Sequence, residues 1–126
     1  MKYLSTAYTY FTISGKNLNT NDFTSHFNIE PTEAGENRLK EKFWDYKVEA
    51  KDANEGLDQA IDKLMETLNS KSKEINAYAS KKDLYTKIFI VIQGKNNENN
   101  GVFFNQAFIK FLNDLGAEIE IDIYND

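Results

Sequence analysis

The C-terminal run Ala117–Tyr124 constrains the fold of this chain more than any other stretch. Carboxylates and isoleucines alternate along it without a break, in the order Glu118, Ile119, Glu120, Ile121, Asp122 and Ile123. A period of two over this length is typical of a β-strand with one buried and one solvated face. We therefore predict a strand whose isoleucines lie on a core and whose carboxylates lie in water. The end of the sequence is then held in a sheet.

The composition predicts a single domain with a core of its own. A chain of 126 residues fits one domain, residues 1–126, on length alone. It contains no cysteine, which excludes disulfides, thiolate catalysis and zinc–thiolate sites. The first residues contain no long apolar run, and no apolar segment reaches bilayer length. We expect a cytoplasmic protein without a membrane partner.

The charge balance bears on the class of partner. The net charge is −5, which argues against nucleic acid because phosphate binding needs a basic surface. An acidic balance suits solubility first and a basic protein partner second. No glycine-rich phosphate-binding motif occurs in the sequence, and we expect no cofactor.

Patterns along the chain predict strands that alternate with helices. Four strands are predicted, at Tyr3–Ile13, Phe43–Ala50, Leu84–Gln93 and Ala117–Tyr124. Four helices are predicted between them. The first is short and capped by Asn19, and the second has an apolar stripe from Leu57 to Leu68. The third is a shorter helix at Lys73–Ser80, and the fourth runs from Phe104 and ends at Gly116. The polar segment Thr32–Lys42 is predicted to be an exposed connection, and Asp52–Asn54 a turn.

These elements predict an α+β fold. The second and fourth strands alternate clearly and are predicted at the sheet edges, whereas the continuous apolar run Ile88–Ile92 predicts a central third strand covered on both faces. The favoured fold is a ferredoxin-like two-layer sandwich with strand order 4-1-3-2. It has a four-stranded, mainly antiparallel sheet, helices on one face and a helical insertion between strands two and three. A parallel arrangement of strands two and three stays open, because Asp52–Lys82 is long enough for a crossover.

Aromatic residues provide a candidate ligand surface. Tyr8 and Tyr10 share one face of the first strand, and Phe11 lies on the other. If Phe11 packs on the helices, the tyrosines lie on the open face of the sheet, where Trp44 and Tyr46 either join them or sit in the core. Such platforms stack bases in one class of RNA-binding modules, but carboxylates of the last strand would repel phosphate here. We expect this face to be covered by the helical insertion or by a partner subunit, or to hold a small molecule.

Three other polar sets are weaker candidates for chemistry. Asp22 and His26 stand four residues apart on the short helix, the spacing of an acid/base pair. Residues 96–101 imitate the first half of a calcium loop, but Ala107 occupies the position of the bidentate carboxylate. Residues 30–36 bring three glutamates together in a predicted loop, without a cleft to fix their separation. An ordinary polar surface is the favoured interpretation of each set, so we predict no catalytic residue and no metal site.

The order of several landmarks carries a family resemblance. These landmarks are Phe11–Gly15, Ile29–Thr32 with Gly35, Trp44 and the ending Leu115–Tyr124. In these residues the chain resembles an uncharacterised, mostly bacterial family known as domain of unknown function 4279, over nearly its whole length. The resemblance implies a small α/β intracellular domain and brings no catalytic residues with it.

The favoured functional hypothesis is a non-enzymatic protein-binding module. In its most specific form it is an immunity-type protein that neutralises a basic toxin domain, by analogy of size and charge alone. The edge strand at the end of the chain could accept a partner strand. The contact residues would be the carboxylates Glu118, Glu120, Asp122 and Asp126. Two alternatives stay open: a small-molecule-binding or weakly catalytic domain with a pocket between the Tyr8/Tyr10 face and the helical insertion, and a structural homodimer that buries the open sheet face.

Overall fold

The computed structural model of the chain describes residues 6–50, 56–94 and 102–125. This part contains five strands, which are β1 (Thr6–Gly15), β2 (Glu33–Glu36), β3 (Lys42–Glu49), β4 (Tyr85–Gly94) and β5 (Glu118–Asn125). It contains four α-helices, which are α1 (Thr20–Phe27), α2 (Gly56–Leu68), α3 (Ser72–Lys82) and α4 (Gln106–Leu115). A 3-10 turn at Asn69–Lys71 joins α2 to α3.

The strands form one mixed sheet of order β2-β3-β1-β4-β5. β1 is antiparallel to both β3 and β4, and β2 is antiparallel to β3. β4 and β5 are parallel and are joined through α4. β3 and β4 therefore run in the same direction, but they do not pair because β1 lies between them. The architecture is α+β, with a five-stranded sheet and one parallel pair.

The predicted ferredoxin-like sandwich is therefore wrong. The four predicted strands lie in the order 2-1-3-4 rather than 4-1-3-2, and a fifth strand, β2, flanks the second of them. The prediction fails because alternation of polar and apolar residues does not distinguish an edge strand from an interior one. Alternation shows only that one face of the sheet is wet, and that holds for the interior strand β3 as well as for the edge strand β5.

The strand β2 lies inside the segment that the sequence predicts to be an exposed connection. It forms a hairpin with β3, and Asn37 organises the loop between them. The Asn37 side-chain oxygen accepts hydrogen bonds from the backbone N–H groups of Leu39, at 2.9 Å, and Glu41, at 3.0 Å. Lys40 takes a left-handed conformation with φ of 64°. The sequence Glu-Ala-Gly-Glu of β2 has no apolar alternation, so periodicity could not reveal the strand.

The core lies between the helices and one face of the sheet, which we call the covered face. Its largest buried side chains from the sheet include Phe11, Trp44 and Ile90, each 0 % exposed. All four helices contribute buried residues to the same cluster. The prediction that the third strand is covered on both faces is wrong. The helices of the described ranges pack on one face of β4 only. On the other face of β4, Val91 is buried but Phe89 is only half-buried.

The helix ends follow the local sequence signals. Asn19 and Asn105 act as N-caps, since each side-chain oxygen accepts a hydrogen bond at 2.9 Å from the backbone N–H three residues on. Gly116 ends α4 with φ of 69°, and a Cβ there would lie 2.7 Å from the Asn76 side-chain oxygen. The predicted caps Asn19 and Gly116 are confirmed, and Asn105 is a further N-cap that the structure shows. None of the helices in the described ranges has the length and hydropathy needed to cross a bilayer.

Strand β5 is an edge strand, as predicted, but its isoleucines are only partly covered. They point to the same side as their register partners on β4, which are buried. The exposed fractions are 37 % for Ile119, 39 % for Ile121 and 45 % for Ile123. The apolar row of the last strand is therefore the rim of the core rather than part of its interior, and it remains accessible along the sheet edge.

Candidate functional site

The face of the sheet away from the helices, which we call the open face, carries stacked aromatic rings. Tyr8 and Tyr10 point there because Phe11 faces the helices and side chains alternate along β1. The ring centroids of Tyr8 and Tyr10 are 6.3 Å apart. Those of Tyr10 and Phe89, direct neighbours across β1 and β4, are 4.6 Å apart with the ring planes 13° from parallel. The predicted open-face position of the two tyrosines is confirmed.

Two adjoining cavities are built on this open face. The main cavity has a volume of about 410 Å³, and its lining includes the rings of Tyr10, Phe43, Tyr85 and Phe89. The second cavity has a volume of about 220 Å³ and lies toward β2. Tyr10 and Asp45 line both cavities, so these two side chains stand at the centre of the concave surface. The ring walls give it apolar area, and Asp45 gives it a fixed charge.

Asp45 is a partly buried carboxylate at this centre. Burial raises the pKa of its carboxyl above the ordinary value of 3.8, a hydrogen bond from the Thr12 hydroxyl lowers it, and the nearby charge of Glu33 raises it. Burial, followed by the charge of Asp45, raises the pKa of Tyr10 to about 12. Within the described ranges no lysine or arginine forms a salt bridge with Asp45. The Asp45 carboxyl group therefore has no salt-bridge partner among those residues.

Two lysines of the chain already lie on the rings of the open face. The Lys47 ammonium is 4.3 Å from the centroid of the Tyr8 ring and 3.0 Å from a carboxylate oxygen of Glu49. The Lys87 ammonium is 5.2 Å from the centroid of the Phe89 ring and 3.3 Å from Oε1 of Glu120. Each lysine is thus held between an aromatic ring and a carboxylate, so this surface accommodates alkylammonium groups.

The edge strand β5 adds negative charge to the open face. Glu118, Glu120 and Asp122 all point to that side, since their register partners on β4 are Lys87, Phe89 and Val91. Three of the four predicted partner-binding residues therefore stand in one row, and Glu118 also lines the main cavity. The fourth, Asp126, lies outside the described residues.

Two residues of the predicted aromatic face lie on the opposite side of the sheet. Trp44 is fully buried on the covered face, where its indole N–H donates to the Thr24 hydroxyl at 3.0 Å. The Tyr46 hydroxyl lies 3.2 Å from that of Thr67 on α2. In the register, Trp44 pairs with Ile13 and Tyr46 with Phe11, so both share the face of the core residues. They are structural residues, and only Tyr8 and Tyr10 of the predicted set face the open side.

The helical insertion also packs on the covered face. Ile75 and Ala79 of α3 belong to the core cluster, and α2 contributes four buried residues to the same side. The insertion therefore cannot close a pocket over Tyr8 and Tyr10, and the predicted position of that pocket is wrong. The cavities found on the open face are lined instead by residues of all five strands and by the loop at Asn37.

The weaker candidates do not assemble into a catalytic set. The Asp22 carboxylate accepts a hydrogen bond from the Tyr78 hydroxyl at 2.6 Å. His26 is exposed, and its ring packs against Phe27 and Tyr78. Histidine and carboxylate side chains of the described ranges form no cluster of three with a metal-binding arrangement. The calcium-like loop at residues 96–101 lies outside the described residues.

Sequence reasoning missed the residues that complete the cavities. Asp45, Phe43, Tyr85 and Phe89 line the main cavity, yet three different strands supply them and Tyr10. Their alternation gave the face on which each residue lies within its own strand. It did not give the strand order that brings these strands together around β1.

Comparison with known proteins places the chain in a family. The chain belongs to the family described as Domain of unknown function (DUF4279), whose family model matches residues 5–126. This confirms the resemblance seen in the sequence. Searches of curated proteins and of solved structures found no match.

Proposed function

We propose that the chain is a protein-binding module that takes a strand of a basic partner along the outer edge of β5. The observation that carries this proposal is the form of that edge. β5 pairs with β4 on one side only, and within the described part of the chain no strand pairs with its other side. An unpaired edge presents backbone N–H and C=O groups that a partner strand can satisfy by β-augmentation.

The side chains of β5 define the chemistry of that partner strand. Ile119, Ile121 and Ile123 remain 37–45 % exposed on the covered side. Glu118 and Asp122 point to the open side, where no salt bridge to them is formed within the described residues. A complementary strand alternates apolar residues with lysine or arginine, because each added residue lies beside a β5 residue on the same face.

The same charges disfavour a second copy of this chain as the partner. In an antiparallel pair of two β5 strands, the carboxylate row of one strand would stand beside that of the other on the open face. Like charges placed directly across two strands are destabilising. The row therefore favours a basic heterologous partner over a homodimer built on this edge. The most specific form of the proposal is a cytoplasmic immunity-type protein that neutralises a basic toxin domain.

The test uses the wild-type chain and two charge-reversal variants to capture binding proteins from a lysate of the source cells. The proteins that each chain retains are then compared. The first variant carries E118K, E120K and D122K on β5. The matched control carries D58K, D62K and E66K, three exposed carboxylates on α2 that change the net charge equally. Wild type and control should retain the same basic protein at low salt and release it as salt rises, whereas the β5 variant should not retain it.

Equal retention by all three chains would contradict the proposal, as would the absence of any protein that salt releases. Light scattering of the purified chain provides a second readout. We expect a monomer, because under this proposal the edge of β5 binds another protein and not a second copy of the chain. A stable dimer broken by I121K but not by the α2 substitutions would favour the homodimer instead.

A further inference from the structure

The open face repeats one arrangement of ring, carboxylate and ammonium group. In the first instance, the ring of Tyr8 and the carboxylate of Glu49 hold the ammonium group of Lys47. In the second, Phe89 and Glu120 hold Lys87. Both instances combine the attraction of a cation to a ring face with that of a carboxylate.

A third ring–carboxylate pair stands at the centre of this surface and forms no salt bridge with a described lysine or arginine. It is formed by Tyr10 and Asp45, which line the two cavities together. Lys47 and Lys87 line the two cavities as well, but their ammonium groups pair with Glu49 and Glu120. The side-chain partner of Asp45 is the Thr12 hydroxyl, a neutral donor. Burial disfavours the charged form of Asp45, and no described lysine or arginine compensates for this by a salt bridge. A cation in the cavity would remove that imbalance.

The shape of the main cavity suits a cation carried on an apolar stem. Its volume of about 410 Å³ lies within the range of ligand-binding pockets. The rings of Phe43, Tyr85 and Phe89 supply apolar walls, and Asp45 and Glu118 supply the anionic groups. Lys87 also lines the cavity, but its charge is paired with that of Glu120 on β5. An anionic ligand would meet the carboxylates of Asp45 and Glu118 and the nearby row on β5, so the charge of the site selects against it.

We propose that the main cavity is a binding site for an organic cation, an ammonium or guanidinium group on an aliphatic stem, with Asp45 as its counter-charge and the rings of Tyr10 and Phe89 as its walls. Such a group belongs either to a free amine or to a lysine or arginine side chain. This site is separate from the backbone edge of β5, and it can be tested without any protein partner.

The experiment titrates the chain with N-acetyl-lysine methylamide and follows amide proton–nitrogen correlation spectra. We expect saturable shifts centred on Tyr10, Asp45 and Phe89. The ε-acetylated form of the same probe keeps the stem and lacks the charge, and it should produce no saturable shift. Equal shifts with both forms would overturn the proposal, and so would the absence of saturation with the charged one.

Variants separate the counter-charge from the ring wall. D45N keeps the size of the side chain and removes its charge, and it should weaken binding about tenfold or more, the range for a charge-assisted hydrogen bond. F89L removes the ring and keeps an apolar residue, and it should weaken binding about twofold to fivefold. The matched control E66Q removes an exposed carboxylate from α2 and should bind like wild type. Unchanged affinity in both D45N and F89L would place the probe elsewhere and overturn the proposal.

Two further probes distinguish the sources of the cation. If the ligand is a free amine, cadaverine should bind more tightly than the blocked lysine. If it is a protein side chain, a short peptide with a central lysine should bind more tightly than either. The I121K variant leaves Glu118 and Glu120 unchanged, since Ile121 lies on the covered side of β5. Loss of partner capture in I121K while the lysine probe still binds would show that the two sites are independent. Partner capture without probe binding would overturn the cavity proposal alone.

Discussion

The two faces of the sheet differ in what covers them, and β1 shows the difference within two residues. Phe11 is fully buried against the helices, with its ring centroid 6.1 Å from that of Trp44. Tyr10, its neighbour in sequence, points to the open face, where its contacts are Tyr8 and Phe89. No helix of the described ranges packs on that side. The covered face holds the molecule together, while the open face keeps aromatic area and charge accessible to other molecules.

The charges sharpen this contrast. On the covered face the core cluster is apolar, and no buried side-chain nitrogen or oxygen of the described residues lacks a hydrogen-bond partner. On the open face, Asp45 is partly buried near Glu33, and burial together with that charge raises its pKa. Unfavourable electrostatics in a concave surface mark a candidate binding site, because selection for stability alone would remove them.

The largest difference should appear when adjacent aromatic residues of β1 are truncated. Phe11→Ala leaves a cavity in the core and should lower the free energy of unfolding by about 3–5 kcal/mol. Tyr10→Ala removes a half-buried ring from the open face and should lower it by about 1 kcal/mol. Urea denaturation measures both. Equal losses would show that a second copy or another ligand covers the open face in solution.

A smaller difference should separate two isoleucines of the covered face that lie side by side in register. Ile90 is 0 % exposed and Ile121 is 39 % exposed. Ile90→Ala should lower the free energy of unfolding by about 2–5 kcal/mol, and Ile121→Ala by about 1 kcal/mol. The same urea experiment applies. A loss at Ile121 as large as at Ile90 would mean that β5 is fully packed and not an accessible edge.

The smallest effect should come from neutralising the central carboxylate of the open face. Because the pKa of Asp45 is raised in the folded protein, its ionised form is disfavoured there relative to the unfolded chain. Asp45→Asn should therefore be the more stable protein at pH 7. The difference in stability between the two proteins should vanish as the pH falls through the raised pKa toward 3.8. In that range wild-type Asp45 becomes protonated and is then neutral, like the asparagine. Thermal unfolding at several pH values measures the difference.

Other groups around Asp45 titrate in the same range, so the difference between the two proteins is the quantity to compare. The charged neighbours that line the same two cavities are Glu33, Lys47, Lys87 and Glu118. A less stable Asn variant at pH 7 would mean that the carboxylate is a structural group, held by Thr12, and not part of a binding site.

The local features of the fold could be predicted from the sequence, but the strand order could not. Asn19, Asn105 and Gly116 cap their helices through contacts with the backbone nearby, so their signals lie within a few residues. The pairing of β3 with β1, and of β5 with β4, depends on which edges meet after the chain returns through its helices. Polar and apolar residues alternate in both β3, an interior strand, and β5, an edge strand. Alternation therefore does not locate a strand within the sheet, and the strand order predicted from it is wrong.

The candidate site was predictable to the same extent. The parity of β1 placed Tyr8 and Tyr10 on the open face correctly, because Phe11 had to face the core. Trp44 and Tyr46 could not be assigned in the same way, since β3 has aromatic residues on both faces. Asp45 looked like any solvated carboxylate of an alternating strand. Its importance follows from the position of β3 beside β1, where Tyr10 shares both cavities with it.

The measurement that tests the central claim most directly is the association rate of the chain with its captured partner at several salt concentrations. If the acidic row of β5 guides a basic strand to the sheet edge, wild type should associate fastest at low salt and slow steeply as salt rises. The variant with E118K, E120K and D122K should associate slowly, with a flat salt dependence. Equal rates and equal salt slopes for both proteins would contradict the assignment of β5 as the binding edge.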